Sequence, residues 1–326
     1  MNLSNLPTPW WLPERHTQTL WRRFARTTRV HRLRERFTLS DGDFVDLDHL
    51  CAASGDVEKP LVVLLHGLCG SSDSAYIHST QALLHSNGYD SVGVNYRGCS
   101  GEVNNRARAY HSGATDDVTE IVVHLYSQAK RPIVLIGFSL GANIALRYLF
   151  EHPSSSVVQA AIAVSTPFSL AKCSRALTKG LSKSYGQYFK RQLVADLNRK
   201  KRHFKNTGNH AELEKLNALG DLSTLTDLWD FDDRVTAPLH GFKDADDYYS
   251  RCSSGLVLDK IAAPVHLIQS ANDPFIPIEA LPDASTLPDH IRLQCTDNGG
   301  HVGFPHRDEK QWLEKQILEA LTQLCA

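Results

Sequence analysis

Residues 132–141 read PIVLIGFSLG, an apolar run followed by a serine with a glycine two positions before it and two positions after it. A helix-forming stretch, 142–151, comes next. An apolar run of this length predicts a buried strand, so Ser139 lies at a strand-to-helix corner. The glycines allow a tight turn and a close approach of strand and helix, with the serine in a strained conformation. The pattern therefore predicts a nucleophile elbow that exposes the Ser139 hydroxyl above the sheet edge.

A reactive serine needs a base and an orienting acid, and with an elbow of this kind both follow the serine in the chain. The apolar run 264–270 predicts a buried strand, and Asp273 comes directly after it. A second strand-like run, 291–295, leads to His301, which stands on a glycine-flanked loop before the last helical stretch. Order and strand-end position together predict Asp273 as the acid and His301 as the base.

Other residues compete for both roles. An aspartate before a proline also suits an ordinary turn, and the chain has 16 histidines, so a loop histidine near the C-terminus is common. The alternatives are Asp283 and Asp289 for the acid, and His290 and His306 for the base. None of them has the same placement at a strand end, which favours Asp273 and His301.

A third feature lies upstream, where the apolar run 60–65 leads into the small-residue loop His66-Gly67-Leu68-Cys69-Gly70. Such a loop after a buried strand is typical of an oxyanion hole built from backbone N–H groups. We expect the N–H groups of Leu68 and Leu140 to be the two donors. His66 itself is interpreted as a structural loop residue.

Strand and helix patterns alternate along the chain. Apolar runs predict strands at 60–65, 91–95, 132–136, 158–164, 264–270 and 291–295, with helices at about 75–87, 114–128 and 140–151. A hairpin is expected from 33–39 and 44–50 around the turn at 40–43. Alternation of this kind predicts an α/β fold, with a mostly parallel sheet covered by helices on both faces.

The stretch between the predicted strands 158–164 and 264–270 is too long for a simple connection, so it must contain structure of its own. Helical character over 170–206 and 211–228 predicts a helical cap insertion at about 166–255, within a single domain that spans 1–326. A surface decoration away from the pocket is the alternative. Tyr185, Tyr188 and Phe189 are expected to form apolar walls of the cap.

Composition excludes several classes of protein. The chain has 326 residues, 42% of them hydrophobic, and a net charge of −1, which argues against nucleic-acid binding. It has no apolar run near the roughly 20 residues that span a bilayer and no signal-peptide pattern, so we expect a soluble, cytoplasmic protein. Its seven cysteines form no CxxC pair, which indicates reduced, mostly buried thiols and neither a disulfide framework nor a metal site.

The N-terminal arm, about 1–32, has two interpretations. The stretch 10–36 is rich in Trp and Arg, which suits peripheral contact with a membrane surface. Prolines at 7, 9 and 13 interrupt a long amphipathic helix, which favours an arm packed against the body with its tryptophans buried.

Three charged residues beyond the predicted strands receive structural interpretations. Arg97, after the run 91–95, is expected to hold neighbouring loops by hydrogen bonds. Asp116 and Asp117 stand in the first turn of the helix at 114–128, where carboxylates favour the helix dipole. All three residues are therefore interpreted as structural.

The chain resembles the YheT-like branch of the α/β-hydrolase superfamily over nearly its whole length. The resemblance rests on a set of short motifs: Pro9-Trp10-Trp11, Gln18-Thr19-Leu20, Ser40-Asp41-Gly42-Asp43, His66-Gly67-Leu68, residues 95–101, the elbow, Phe231-Asp232, Gly241-Phe242, Asp247-Tyr248-Tyr249, Asn272-Asp273-Pro274 and residues 299–304. It implies a serine hydrolase acting on carboxylic esters of small molecules or lipids, with Ser139, Asp273 and His301 at the triad positions.

Relatives in that branch include short- to medium-chain esterases, acylglycerol and phospholipid lipases, and alcohol acyltransferases. The predicted function is hydrolysis of esters with short to medium acyl chains through an acyl-enzyme, with acyl transfer to an alcohol or acylglycerol lipase activity as alternatives. No metal or organic cofactor is required for this chemistry. A hydrolase fold used only to bind a ligand is the alternative of another class.

Overall fold

The computed structural model describes residues 3–24, 29–52 and 58–325, and the side chains of residues 23 and 24 are not included. Within these ranges one sheet of eight strands runs through the molecule. The strands are β1 (Leu33–Thr38), β2 (Phe44–Leu50), β3 (Leu61–Leu65), β4 (Ser91–Asn95), β5 (Ile133–Phe138), β6 (Val158–Val164), β7 (Val265–Ser270) and β8 (Ile291–Thr296).

The sheet has the order β1-β2-β4-β3-β5-β6-β7-β8. β1 and β2 form an antiparallel hairpin, β2 pairs antiparallel with β4, and every later neighbour pair is parallel. The predicted hairpin is confirmed, and the six other predicted strands are found within one or two residues of their expected bounds. Parallel strands place their carboxyl ends at one edge of the sheet, and the loops after β3, β5, β7 and β8 meet there.

Helices cover the sheet and fill the long connection after β6. They are α1 (Arg15–Phe24), α2 (Ala75–Ser86), α3 (Thr115–Ala129), α4 (Leu140–Glu151), α5 (Leu170–Ala176), α6 (Ser182–Thr207), α7 (His210–Asn217), α8 (Leu228–Phe231), α9 (Ala237–His240), α10 (Ala245–Cys252) and α11 (Trp312–Leu324). A π-helical turn, Asp232–Thr236, joins α8 to α9, and 3₁₀ turns occupy Ser254–Leu256, Leu258–Lys260, Ile278–Ala280 and Ala284–Thr286. In the described ranges no helix combines the length and apolar character needed to cross a bilayer.

Two apolar cores lie on opposite faces of the sheet, because successive strand residues point to opposite sides. Val63 of β3 belongs to the core that also contains the apolar faces of α3 and α4. Its neighbour Val62 belongs to the core formed with α2 and α11. The predicted α/β fold, with a mostly parallel sheet and helices on both faces, is thereby confirmed.

The connection between β6 and β7 is helical, as expected, but its helices are shorter than the sequence pattern indicates. The predicted helix at 170–206 is interrupted between α5 and α6, where Gly180 has φ +50°. The predicted helix at 211–228 ends at Asn217, and Gly220 follows with φ +72°. A residue with left-handed backbone angles interrupts the helical path, so the segments on either side of each glycine do not join into one helix.

The N-terminal segment lies along the last strand. Ser4 forms a parallel bridge with Thr296, and its N–H donates to the Cys295 carbonyl at 2.9 Å. The prediction that the tryptophans of this segment are buried is wrong for Trp10 and Trp11, which are 87% and 48% exposed. Leucines on either side, at 6 and 12, occupy the buried positions instead. Residues 1–2 and 25–28 of the predicted arm lie outside the described residues.

The seven cysteines are all unpaired thiols in the structure. Cys173, Cys252 and Cys295 are buried, whereas Cys51 and Cys325 are exposed. The prediction that most thiols are buried is therefore wrong, since three of the seven are buried.

Arg97, directly after β4, ties three parts of the fold together. Its guanidinium donates to both carboxyl oxygens of Asp117 in α3, at 2.7 and 2.6 Å. The third nitrogen donates to Asp41 at 2.7 Å and to Asp43 at 3.0 Å, in the turn between β1 and β2. The predicted structural role of Arg97 is confirmed. Asp116 and Asp117 lie in the first turn of α3, as predicted. Their carboxyl groups also form ion pairs, Asp117 with Arg97 and Asp116 with Arg108.

His66 follows β3 and is completely buried. Its ring packs against Tyr96 and Tyr110, with centroids 4.4 and 6.0 Å away, and its Nδ1 donates to the Gly67 carbonyl at 2.8 Å. Burial lowers the pKa of His66 to about 4, and the hydrogen bond to Gly67 only partly opposes this. His66 is therefore a neutral structural residue at neutral pH, as the sequence predicts.

Replacement of Arg97 should destabilise the fold strongly. Arg97→Met leaves the buried carboxyl groups of Asp43 and Asp117 without their cation, and breaking a buried pair in this way costs about 3–5 kcal/mol. Urea unfolding measures the loss. Arg307→Met is the control, since the Arg307–Asp308 pair is exposed and its loss should cost at most about 1 kcal/mol. Equal losses of unfolding free energy in the two variants would contradict the structural role of Arg97.

The pKa of His66 predicts a specific dependence of stability on pH. Because the folded pKa is about 4 and the ordinary value is 6.5, the unfolded chain takes up a proton that the folded chain does not between these pH values. The contribution of His66 to the free energy of unfolding should therefore be present in full above pH 6.5 and decline by about 3 kcal/mol as the pH falls to 4. Urea unfolding at pH 7, 5.5 and 4 should show that the free energy of unfolding declines less in His66→Phe than in the wild type. The same decline in both proteins would refute the lowered pKa of His66.

Candidate active site

Ser139 stands between the end of β5 and the start of α4. Its backbone angles are φ +54° and ψ −119°, a conformation that residues other than glycine rarely adopt. The N–H of Ser139 donates to the Val164 carbonyl at 2.8 Å, which ties the corner to the neighbouring strand β6. The predicted strand-to-helix corner is therefore present, with the serine in the strained conformation expected of it.

The two glycines around Ser139 are required by close packing. A Cβ atom on Gly137 would lie 2.4 Å from the Cα of Ala142. A Cβ atom on Gly141 would lie 2.3 Å from the carbonyl oxygen of Leu65, at the end of β3. Any side chain at either position would separate α4 from the sheet and displace the serine.

The structure brings Ser139, His301 and Asp273 together in one hydrogen-bonded series. His301 Nε2 lies 2.9 Å from Ser139 Oγ, and His301 Nδ1 lies 2.8 Å from Asp273 Oδ2. The three residues come from the loops after β5, β7 and β8. A carboxylate only accepts hydrogen bonds, so Nδ1–H donates to Asp273 and the lone pair of Nε2 faces the serine hydroxyl.

Asp273 is held by its own loop as well as by the histidine. Its second carboxyl oxygen, Oδ1, accepts from the backbone N–H groups of Phe275 at 2.8 Å and Ile276 at 3.2 Å. The side chain of Asp273 is fully buried, whereas that of His301 is 10% exposed. The carboxyl group therefore has a fixed orientation behind a histidine ring that still reaches the cavity.

The loop after β3 lies directly against the serine. A Cβ atom on Gly67 would lie 3.1 Å from the Cβ of Ser139. The N–H of Gly67 donates to the Tyr76 hydroxyl at 3.0 Å, and the N–H of Cys69 donates to the Tyr110 hydroxyl at 2.8 Å. The two tyrosines thus fix the loop on both sides of residue 68.

Leu68 and Leu140 are the two predicted donors of an oxyanion hole. Both residues line the same cavity as Ser139. In the described part of the chain, neither backbone N–H donates a hydrogen bond to another protein group. Backbone N–H groups that line the cavity and are not engaged elsewhere are available to donate to a ligand atom near Ser139.

The alternative acids and bases are not at this site. Asp283 caps a 3₁₀ turn by accepting from the Ser285 N–H, and Asp289 is exposed. His290 contacts the Ile261 carbonyl at 2.7 Å, and His306 accepts backbone N–H groups of its own loop. None of the four lines the cavity, so the alternatives left open by the sequence are excluded from this arrangement.

A cavity of about 990 Å³ extends from Ser139 and His301 beneath the helices that follow β6. Most of its lining is apolar, and Tyr185, Tyr188 and Phe189 of α6 are among its walls, as the sequence predicts. Further apolar lining residues are Leu170, Leu177, Leu193, Leu197, Leu228, Phe231, Val235 and Phe275. Its size and lining suit a ligand with a substantial apolar part.

Charged residues in the cavity were not predicted as part of the site. Asp232, in the π-helical turn, accepts from the Tyr249 hydroxyl at 2.7 Å and from Thr236 at 2.6 Å. Burial raises its pKa to about 6 and lowers that of Lys200 to about 8. The motifs Phe231-Asp232 and Asp247-Tyr248-Tyr249 were signals for Asp232, but nothing in the sequence indicated that the two meet. Among the described residues, no three His, Cys, Asp or Glu side chains are placed to hold a metal ion.

Comparison with known proteins agrees with this geometry. The chain matches the family described as the alpha/beta hydrolase fold over residues 60–308. It is 36% identical to YheT of Escherichia coli (strain K12), which is named as an esterase, over 94% of this chain and 90% of that protein. It is 29% identical to phospholipase ABHD3 of Homo sapiens over 91% of this chain and 73% of that protein.

Solved structures show the same architecture. The structure of the Pyrococcus furiosus esterase Pf2001 covers the full length of both chains with a TM-score of 0.57 at 16% identity. At that identity the likeness concerns the fold alone. Because the family match includes the strands around the site, and YheT is similar over nearly the whole sequence, the chain belongs to the YheT-like family of the α/β-hydrolase superfamily.

Proposed function

We propose that this protein is a serine hydrolase that cleaves carboxylic esters of short to medium acyl chains through an acyl-enzyme intermediate. The hydrogen-bonded series from Ser139 through His301 to Asp273 is the observation that carries the proposal. A strained serine and a histidine oriented by a buried carboxylate are the parts that acyl transfer needs. Relatives named as an esterase and as a phospholipase support a hydrolase acting on esters.

In the first step, His301 Nε2 takes the proton of Ser139 Oγ as that oxygen attacks the ester carbonyl carbon. Asp273 keeps the imidazole in the tautomer that leaves Nε2 free, and it stabilises the imidazolium that forms. The imidazolium then gives its proton to the leaving alcohol. Water attacks the acyl-enzyme with His301 again as the base, which releases the acid and restores the serine.

The tetrahedral intermediates carry negative charge on the former carbonyl oxygen. We assign the N–H groups of Leu68 and Leu140 to this charge, since both lie beside Ser139 and donate to no other protein group in the described residues. Donors fixed in this way cost no reorganisation during the reaction. Each such donor is worth about 10²–10³ in rate in comparable sites.

The helices between β6 and β7 are proposed to be the cap of a single catalytic domain, at about 166–255. They supply much of the apolar lining of the cavity that reaches Ser139. An acyl chain lying against these walls would bury apolar surface, at about 0.8 kcal/mol for each CH₂ group. The proposal therefore places the acyl chain under the cap and the alcohol portion toward the opening.

The size of the cavity also favours a second candidate of the same class, hydrolysis of lipid esters such as acylglycerols. Transfer of the acyl group to an alcohol uses the same residues, and it is distinguished by the formation of a new ester when alcohol is added. A purely ligand-binding role would leave the strained serine without a purpose. Absence of any Ser139-dependent adduct with a fluorophosphonate would favour that role over catalysis.

Ser139→Ala should abolish turnover while leaving the fold intact. By analogy with other serine triads, the expected loss of ester hydrolysis is about 10⁴-fold or more. The measurement is initial rate with 4-nitrophenyl esters, together with labelling by a fluorophosphonate probe. Cys173→Ala is the control, because it removes another nucleophilic side chain that lines the cavity. Unchanged activity in Ser139→Ala would refute the proposed function.

Enlarging the cavity should shift the preferred length of the acyl chain. Phe189 lines the cavity, so Phe189→Ala should move the maximum of kcat/KM toward longer chains in a series of 4-nitrophenyl esters from acetyl to hexadecanoyl. Phe150, a partly buried phenylalanine on α4 that does not line the cavity, is the matched control. An equal shift in Phe150→Ala, or none in Phe189→Ala, would contradict the placement of the acyl chain.

A further inference from the structure

The loop that carries His301 is held by side chains at three consecutive backbone N–H groups. The N–H of Gly299 donates to Gln18 Oε1 at 3.0 Å. The N–H of Gly300 donates to Asn272 Oδ1 at 2.9 Å, and the N–H of His301 donates to Thr19 Oγ1 at 3.0 Å. Two of the three acceptors belong to α1, which is more than 270 residues away in the chain.

Gln18 is completely buried, and its amide group is fully used. Besides Gly299, its Oε1 accepts from the Asn272 amide at 2.9 Å. Its Nε2 donates to the Leu12 carbonyl at 3.1 Å and to Asn298 Oδ1 at 3.5 Å. Gln18 therefore joins the N-terminal segment, the loop after β7 and the loop after β8 in one network.

The backbones of α1 and the histidine loop are also in direct contact. A Cβ atom on Gly300 would lie 2.7 Å from the Thr19 nitrogen, and one on Gly303 would lie 2.1 Å from the Gln18 carbonyl oxygen. Glycines at these positions are thus required by the approach of the helix. Removal of α1 would leave both glycines without the backbone that packs against them.

The same loop has an unusual backbone. Gly299 and Gly300 have φ values of +147° and +61°, and the non-glycine residues Val302 and Phe304 have +58° and +43°. Residues with a side chain rarely adopt such φ values. These backbone conformations persist where the surrounding structure fixes them. Because the loop has no regular hydrogen-bond ladder, its shape depends on the side chains that bind its N–H groups.

We propose that α1 is part of the active site, and that Gln18 and Thr19 are positioning residues that align His301 with Ser139 and Asp273. The proposal rests on the proposed function, since it assigns His301 as the base. Neither residue touches the reacting atoms through this network. They act by fixing the backbone from which the imidazole extends, and displacement of a catalytic group by about 1 Å can cost 10²-fold in rate.

The test uses paired substitutions on α1. Thr19→Val keeps the side-chain shape but removes the acceptor for the His301 N–H, and kcat should fall about 10-fold with KM changed less than about twofold. Thr19→Ser restores the hydroxyl and should recover most of the rate. Thr17→Val is the matched control, because Thr17 lies on the same helix, is exposed, and its hydroxyl donates to the Glu14 carbonyl rather than to the histidine loop. Its activity should equal that of the wild type.

Gln18→Met removes the acceptor and the donor at the centre of the network while keeping a side chain of similar length. We expect kcat to fall about 100-fold. Melting temperature and circular dichroism establish that each variant is folded. If the rates of Thr19→Val and Gln18→Met match the wild type, or if Thr17→Val loses as much activity as Thr19→Val, the positioning role is refuted.

A measurement without turnover separates this inference from the proposed function. The Nδ1 proton between His301 and Asp273 should give a downfield proton resonance in the wild type. We expect this resonance to shift or disappear in Gln18→Met and to remain in Thr17→Val. An unchanged resonance in Gln18→Met overturns the positioning role. A wild type without Ser139-dependent turnover overturns the proposed function instead, while loss of the resonance in Gln18→Met would still support α1 as the element that orients His301.

Discussion

The contact between the start of α4 and the ends of β3 and β5 is the constraint on which the site depends. Gly137 and Gly141 leave no room for a side chain, because the nearest backbone atoms would lie within 2.4 Å of an added Cβ. The helix can therefore pack directly on the sheet. This packing holds Ser139 at φ +54° and ties the position of its hydroxyl to the rigid centre of the fold. A strained residue persists only where its surroundings fix it in this way.

The other groups reach Ser139 because the central strands are parallel. The loops after β3, β7 and β8 end at the same edge of the sheet, which brings together Leu68, Asp273 and His301 from positions far apart in sequence. The outer strand β8 has a further element behind its loop. No atom of helix α1 belongs to the series Ser139–His301–Asp273. Side chains of α1 do, however, accept hydrogen bonds from backbone N–H groups of the loop that holds the histidine.

Polar groups buried around the site are either paired or neutral. Arg97 is surrounded by three carboxyl groups, and it fixes the hairpin turn and α3 near the carboxyl edge. His66 is kept neutral by burial, so it can support the loop after β3 without introducing an unpaired charge. Asp232 differs, because it lines the cavity, its partners in the described part of the chain are hydroxyl groups, and its pKa is about 6. The helices between β6 and β7 thus contribute to the cavity an acid whose pKa lies near neutral pH.

The sequence by itself determined where the strands lie along the chain and predicted the elbow at Ser139 with Asp273 and His301 as its partners, because glycine spacing and apolar runs are local signals of packing. It also indicated that Gln18-Thr19-Leu20 mattered without revealing why. Only the tertiary structure decided that α1 lies behind the histidine loop, that Asp117 faces Arg97 and that Trp10 and Trp11 are exposed. These features depend on contacts between segments remote in sequence, and local periodicity carries no information about which surfaces meet.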